Sequence, residues 1–380
     1  MSDARLRREA DAGNERGAGG EAGGLLARLE AQGVLDPGQA VRLAQAAMAP
    51  AVPAWLQVLQ ALAAWFAALL ILSSFMLPLA LVGDRALLRV LVGGLLCGGA
   101  LWLFRREQLF TDQMALAFSL AGQALLVSAM GEGWGALWGR STTWAMLGAL
   151  IAAAMMVPRT ARLHRTLCGL ILAFDVAVVL GSGPGLALFA VGLLGMACAL
   201  WLMRAQWAAG LASASALPPG LLAAVAHAAT LAALALPLAV SIGDGVGGRV
   251  LLWAPFGGAY GASLLSVGAT LVLAAVALHL LREASPRARA LALGAGLVLA
   301  LASQPAPGLI VAAALFLACF HGGQRLLGAL AVLAAVLYVG EYYYRLETTL
   351  LNKSMLLAAS GLVLLGLRQG LVGHRRGASQ

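Results

Sequence analysis

Residues 55–82 read WLQVLQALAAWFAALLILSSFMLPLALV, a run without a single charged side chain. A helix that crosses the hydrocarbon core of a bilayer needs about 20 consecutive, mainly apolar residues, and this stretch is longer than that. It is apolar on every face. It therefore lacks both the polar stripe of a soluble surface helix and the polar–apolar alternation of a barrel strand. Comparable runs follow at 87–104, 114–131, 143–158, 166–182, 185–203, 220–241, 254–281, 290–303, 308–321, 326–340 and 354–368. The expectation is an all-α, polytopic transmembrane helical bundle of about 12 spans. The eighth run opens on PFGGAYG at 255–261, which leaves residues 254–262 either spanning or re-entrant.

Composition agrees. Of 380 residues, 61% are apolar and 11% charged, and mean hydropathy is +0.89; an ordinary soluble domain carries about 25% charged residues. A soluble fold is excluded. The net charge of +9 does not imply a nucleic-acid partner, because residues 1–54 hold six arginines against seven acids and the excess lies in short loops between apolar runs. Cytoplasmic loops collect Arg and Lys. With twelve spans, the side shared with the N-terminus holds thirteen basic residues (Arg105, Arg106, Arg159, Arg162, Arg165, Arg204, Arg282, Arg287, Arg289, Arg325, Arg368, Arg375 and Arg376). The other side holds six: Arg85, Arg89, Arg140, Arg249, Arg345 and Lys353. Both termini are expected inside (N-in/C-in).

The domain reading follows. Residues 1–24, rich in Gly, Ala and charge, predict a disordered cytoplasmic tail. Residues 25–54 predict a short cytoplasmic helical hairpin, because LLARLEAQG stops at Gly33 and Asp36-Pro37 then offers an N-cap followed by a first-turn proline. Residues 55–368 form the transmembrane domain and 369–380 a cytoplasmic tail. No signal peptide precedes the first run, which itself directs insertion.

Few residues in the apolar runs can carry chemistry. Asp175, in CGLILAFDVAVVLG, is the one acid at mid-depth, where an ionised carboxylate costs about 2.5–3.5 kcal/mol on insertion scales. It is expected to be neutral or partnered. Two readings stand: a proton-carrying group in transport, or a protonated acid hydrogen-bonded to a neighbouring helix. Ser119 and Gln123 of FSLAGQALL are four apart and share a helix face; they either glue helices together or line a substrate path. In EYYYRLETTLLNKS, Glu341, Arg345, Thr349 and Lys353 fall on one stripe, with Tyr342, Tyr343 and Tyr344 beside it. That stretch reads as an amphipathic lead-in to the last span or as a surface for a periplasmic partner.

The other candidates have plainer readings. Gly94-x-x-x-Gly98 and Gly257-x-x-x-Gly261 signal close helix packing. Trp134, Trp138, Trp144, Trp253 and Tyr260 fit an aromatic belt. His227, His279 and His321 lie near inner span ends and His164 among arginines, all read as interfacial anchors. The four cysteines, Cys97, Cys168, Cys198 and Cys319, read as small packing residues. No H-E-x-x-H, G-x-S-x-G or P-loop pattern is present, so no metal, cofactor or catalytic residue is assigned.

Three stretches carry a resemblance: WLQVLQALAAWFAALLILSSF at the first run, QMALAFSLAGQALL at the third, and the closing EYYYRLETTLLNKSMLLAASGLVLLGLR. They resemble the bacterial polytopic family catalogued as domain of unknown function 4401, over residues from about 50 to 370. The resemblance implies a multi-pass protein of the bacterial inner (cytoplasmic) membrane with no established activity. It also implies a small membrane-anchored protein bearing a GDYXXLXY motif as partner, alongside the lipid bilayer, and marks Glu341 to Ser354 as worth testing. Three function classes remain open: a transporter-like or envelope-assembly component, a scaffold without transport, and a membrane-embedded lipid-acting enzyme.

Overall fold

The computed structural model describes residues 54–81, 86–106, 108–138, 140–158, 160–181, 184–207, 220–243, 259–302 and 306–345. The tail expected at 1–24, the hairpin expected ahead of Ala54, Gly257, Trp253, Lys353, the run at 354–368 and the tail at 369–380 lie outside these residues. The chain divides into two units, Met1–Ala63 and Ala64–Gln380; of the first, only residues 54–63 are described, and they are helical.

Among the described residues there is no strand. The helices are α1 (Ala54–Leu81), α2 (Ala86–Leu103, closed by a 3₁₀ turn at Phe104–Arg106), α3 (Leu109–Trp138), α4 (Arg140–Met156), α5 (Arg162–Leu180) and α6 (Pro184–Leu202). They continue as α7 (Leu221–Gly243), α8 (Ala259–Leu280), α9 (Pro286–Ala302), α10 (Pro307–His321) and α11 (Arg325–Arg345), with a further helical turn over 204–207. The described part of each of the first eleven apolar runs lies on or directly beside one of these helices, while residues 254–258 of the eighth lie outside the described ones. Among the described residues five segments are long and apolar enough to cross a membrane: Ala86–Arg106, Phe110–Gly131, Arg162–Leu180, Pro184–Leu202 and Ser263–Leu280. The apolar segments of the other described helices are shorter.

The larger core is built from α5, α6, α7, α8, α10 and α11 around Leu194, Leu236, Ile310 and Leu315, all fully buried. Alanines fill much of the rest. Where the phenol ring of Tyr338 on α11 lies over Gly308 of α10, a Cβ on that glycine would collide with the ring, and the Tyr338 hydroxyl donates to the Leu234 carbonyl of α7. Trp201 of α6 donates to Thr230 Oγ1 of α7 at 2.9 Å and meets His227 edge-on at 5.1 Å. Outward faces stay apolar: Leu70, Leu95 and Phe320 are each more than 70% exposed. A bilayer, not water, is the solvent such faces suit.

The close approach expected at Gly94-x-x-x-Gly98 occurs one residue round the helix. Among the described residues nothing lies within 4 Å of a Cβ built on Gly94 or Gly98. Instead α2 and α3 meet at Gly93 and Gly122: a Cβ on Gly122 would stand 2.7 Å from Cys97 Sγ and 2.8 Å from the Gly93 carbonyl oxygen. Gly94 and Gly98 sit about 100° away from Gly93 and Cys97 on the helix surface, off the face that α3 covers.

Two helix hairpins share one device. Arg165, fourth residue of α5, turns back so that Nε and Nη2 donate to the Pro158 carbonyl just beyond α4, at 3.1 and 2.6 Å. Arg289, fourth residue of α9, donates through Nε to the Leu281 carbonyl just beyond α8 at 2.9 Å, and through Nη2 to the Arg282 carbonyl. Terminal helix carbonyls lack intrahelical partners and carry partial negative charge, and a guanidinium satisfies both needs.

Candidate functional site

Among the described residues, the buried polar side chains of Ser119, Gln123 and His164 gather where α2, α3 and α5 converge. The Gly93–Gly122 approach brings α2 against α3, and Phe104, nearly fully buried in the turn after α2, lies 4.8 Å from the His164 ring. Ser119 Oγ on α3 is 2.8 Å from His164 Nε2 on α5. Gln123 Nε2, one turn along α3, donates to Ser119 Oγ at 3.0 Å and reaches Cys168 Sγ at 3.7 Å. On the other side of the imidazole, His164 Nδ1 is 3.0 Å from Thr160 Oγ1, and Cys168 Sγ is 3.5 Å from Nε2. Ser119 and His164 are 0% exposed and Gln123 is 5% exposed.

With His164 in the Nδ1–H tautomer, Gln123 N–H donates to Ser119 Oγ, the Ser119 O–H to Nε2 and Nδ1–H to Thr160 Oγ1; in the Nε2–H tautomer the two imidazole bonds run the other way along the same chain. It leads from the interior at Gln123 to half-buried Thr160 in the α4–α5 turn. One atom is left over: Gln123 Oε1 is buried without a hydrogen-bond partner. Exchanging the amide N and O leaves the other amide atom orphaned in the same place, so the vacancy in the network does not depend on that assignment.

His164 is therefore not the interfacial anchor expected for it. The run was expected to begin at residue 166, but α5 begins at Arg162, which turns His164 inward in the first helical turn. Arg165 can enter the helix beside it, 3% exposed, because the Pro158 carbonyl receives its guanidinium. The four cysteines are free and buried. Cys198 and Cys319 sit in the larger apolar core, whereas Cys97, whose thiol faces the Ser119 carbonyl at 3.9 Å, and Cys168 border the polar chain.

Asp175 lies eleven residues beyond His164 on α5. At 100° and 1.5 Å per residue, His164, Cys168 and Asp175 fall within about 40° of one another on one face, with Asp175 about 16 Å further along the axis. Its carboxylate rests against α4 at Gly148, where an added Cβ would collide with Oδ2. Asp175 is half-buried, and no hydrogen bond or ion pair joins it to another described residue. Glu341, Tyr342, Tyr343, Tyr344 and Arg345 continue α11 as helix, but their side chains, with those of Trp134, Trp138 and Tyr260, lie outside the described ones. Trp144 is partly exposed and its indole covers Gly131. Among the described residues no group of three His, Cys, Asp or Glu side chains is placed to hold a metal ion.

The fold and these residues define an all-α chain with several helices apolar enough to cross a membrane, as a membrane protein requires, threaded by a short intrahelical and interhelical polar chain. Residues 53–372 match the family described as domain of unknown function (DUF4401), and the chain belongs to that family. Neither the curated proteins nor the solved structures give a match.

Proposed function

We propose that this chain is a twelve-span, N-in/C-in protein of the bacterial inner membrane that acts as a proton-coupled, transporter-like component, with Asp175 as its coupling group. The observation that carries the reading is Asp175 itself: an acid in an apolar helix long enough to span, packed against the Gly148 notch and joined to no described partner. Ionisable residues inside a membrane are costly, and they face bundle interiors or pathways. The Gln123–Ser119–His164–Thr160 chain on the same side of α5 supports it, because hydrogen-bonded hydroxyl and imidazole groups can pass a proton between the α4–α5 turn and the interior.

The test is reconstitution of the full chain in liposomes that enclose a pH-sensitive dye. Under an imposed proton gradient the lumen should respond faster than in protein-free vesicles, and Asp175→Asn should abolish the difference. Equal flux in wild type and variant would refute the assignment. Reporters fused after Arg159 and after Arg345 should lie on opposite sides of the membrane; the same side for both would refute the span count.

A second reading concerns the end of α11. Its Glu341-Tyr-Tyr-Tyr-Arg345 segment is a surface for a membrane-anchored partner of the GDYXXLXY type, which would make the protein an envelope-assembly component. Co-purification lost on changing Tyr342 to Arg345, and kept in Asp175→Asn, would favour that role over transport.

A further inference from the structure

A cleft of about 690 Å³ opens between α8, α9 and α10. Such a volume lies within the range of about 300–1,000 Å³ typical of small-ligand sites. Leu273 and Ala277 of α8, Leu293 and Gly296 of α9, and Phe316 of α10 form its walls, and Thr270 is the one polar residue of the lining. The helices do not close it. A Cβ on Gly296 would meet nothing within 4 Å, and α9 packs mainly on α8 with only light contact to α10.

Its length and its end identify an occupant. Along α8 the lining runs from Thr270 to Leu281, about 16 Å at 1.5 Å per residue. That is close to half of a hydrocarbon core about 30 Å thick. A spanning helix would need the full depth, whereas one acyl chain of one leaflet needs half. The cleft ends at LREASPRAR, residues 281–289, the turn after α8 together with the first turn of α9, which holds three arginines and one glutamate. Arg282 follows directly on the lining residue Leu281; its guanidinium is largely exposed, with Nε 3.9 Å from the exposed Glu283 carboxylate. Arg289 is folded onto the Leu281 and Arg282 carbonyls. The mouth therefore carries net positive charge at the depth where a lipid headgroup would sit.

We infer that the cleft binds an anionic phospholipid, with one acyl chain between α8, α9 and α10 and the phosphate at the arginine-bearing 281–289 segment. The inference rests on the reading of the chain as a membrane protein and is independent of Asp175. A basic residue near a membrane surface favours an anionic headgroup by about fivefold.

The experiment uses the full chain in mild detergent, supplied with phosphatidylglycerol or phosphatidylcholine, with retained lipid counted by native mass spectrometry. Phosphatidylglycerol should be retained about fivefold over phosphatidylcholine. Gly296→Leu, which fills the cleft, should cut that retention at least fivefold, while Gly294→Leu should not, because Gly294 is equally open but does not line the cleft. Arg282→Gln, a change at an exposed position, should erase most of the headgroup preference and keeps the test decisive should Gly296→Leu misfold. Equal retention of the two lipids, unchanged retention in Gly296→Leu, or no retained lipid in wild type, as when residues 354–368 fill the cleft, would each overturn the inference. The readout is bound lipid, so its failure is distinguishable from failure of proton flux.

Discussion

Replacing Ser119 by alanine removes the atom that joins α3 to α5. In the native structure Ser119 Oγ meets both His164 Nε2 and Gln123 Nε2, at 2.8 and 3.0 Å, inside a region closed to solvent. The variant strands two buried polar groups. A stranded group costs about 1–3 kcal/mol in a soluble core, but interhelical hydrogen bonds in bilayers average about 0.6 kcal/mol and reach about 1.7. Cys168 Sγ, 3.7 Å from Gln123 Nε2 and 3.5 Å from His164 Nε2, offers both a weak substitute. The expected loss is about 1–1.5 kcal/mol. It should grow by about 0.5 kcal/mol when Cys168→Ala removes the substitute.

Tryptophan fluorescence through a denaturing-detergent titration measures these values, and the Ser119→Ala/His164→Leu cycle isolates the bond. Gln123→Met is the contrast. It forfeits a donor to Ser119 but also removes the orphaned Oε1, so its effect should stay within about 0.5 kcal/mol. A Ser119→Ala variant as stable as wild type, or a coupling energy below about 0.3 kcal/mol in the cycle, would show that the chain of bonds is not formed.

Two other substitutions test the packing. Gly122→Ala should cost about 1–3 kcal/mol by forcing α2 and α3 apart, while Gly94→Ala and Gly98→Ala, in open space, should be neutral or stabilising by up to about 1 kcal/mol through helix propensity; the reverse ranking in the same titration would place the contact on the other face of α2. Arg165→Lys keeps the charge but loses the two-donor fit to the Pro158 carbonyl. It should destabilise by about 1–2 kcal/mol without changing reporter orientation, and an unaltered stability would argue that the guanidinium acts as charge alone.

The existence and order of the helices are legible in the sequence because an all-round apolar run longer than a few turns has few alternatives. Partners and helix phases are less so. Ser119 and Gln123 could be paired by their spacing of four, but His164 is 45 residues from Ser119, and it stands in TARLHRT between two arginines, a stretch that looks like loop. What admits Arg165 into the buried face of α5 is a bond to a backbone carbonyl, which leaves no mark in composition. The doublets Gly93-Gly94 and Gly98-Gly99 offer small residues in adjacent registers. Their spacing announces a close approach without saying which face makes it, and the contact falls at Gly93, one residue out of phase with Gly94-x-x-x-Gly98.

The arginines carry a second meaning that bears on topology. Arg165 and Arg289 bond the carbonyls that end the α4 and α8 segments, and Arg204 reaches the Gly322 carbonyl beyond α10 at 3.5 Å. A guanidinium at a helix C-terminus is stabilising whichever side of a membrane it faces, so these three would sit at their helix ends without any rule of insertion. Counted as topological signals they inflate the bias. Setting them aside leaves ten basic residues between the spans and at the C-terminal end on the side shared with the N-terminus, against six opposite. The direction survives and the margin narrows. The Arg204–Gly322 bond adds something the count does not contain: it joins the C-terminal ends of α6 and α10, which the proposed up-and-down arrangement would place on one side. The proposed N-in orientation thus rests on the charge bias alone, while the Arg204–Gly322 contact supports only the alternation of the helices from α6 to α10.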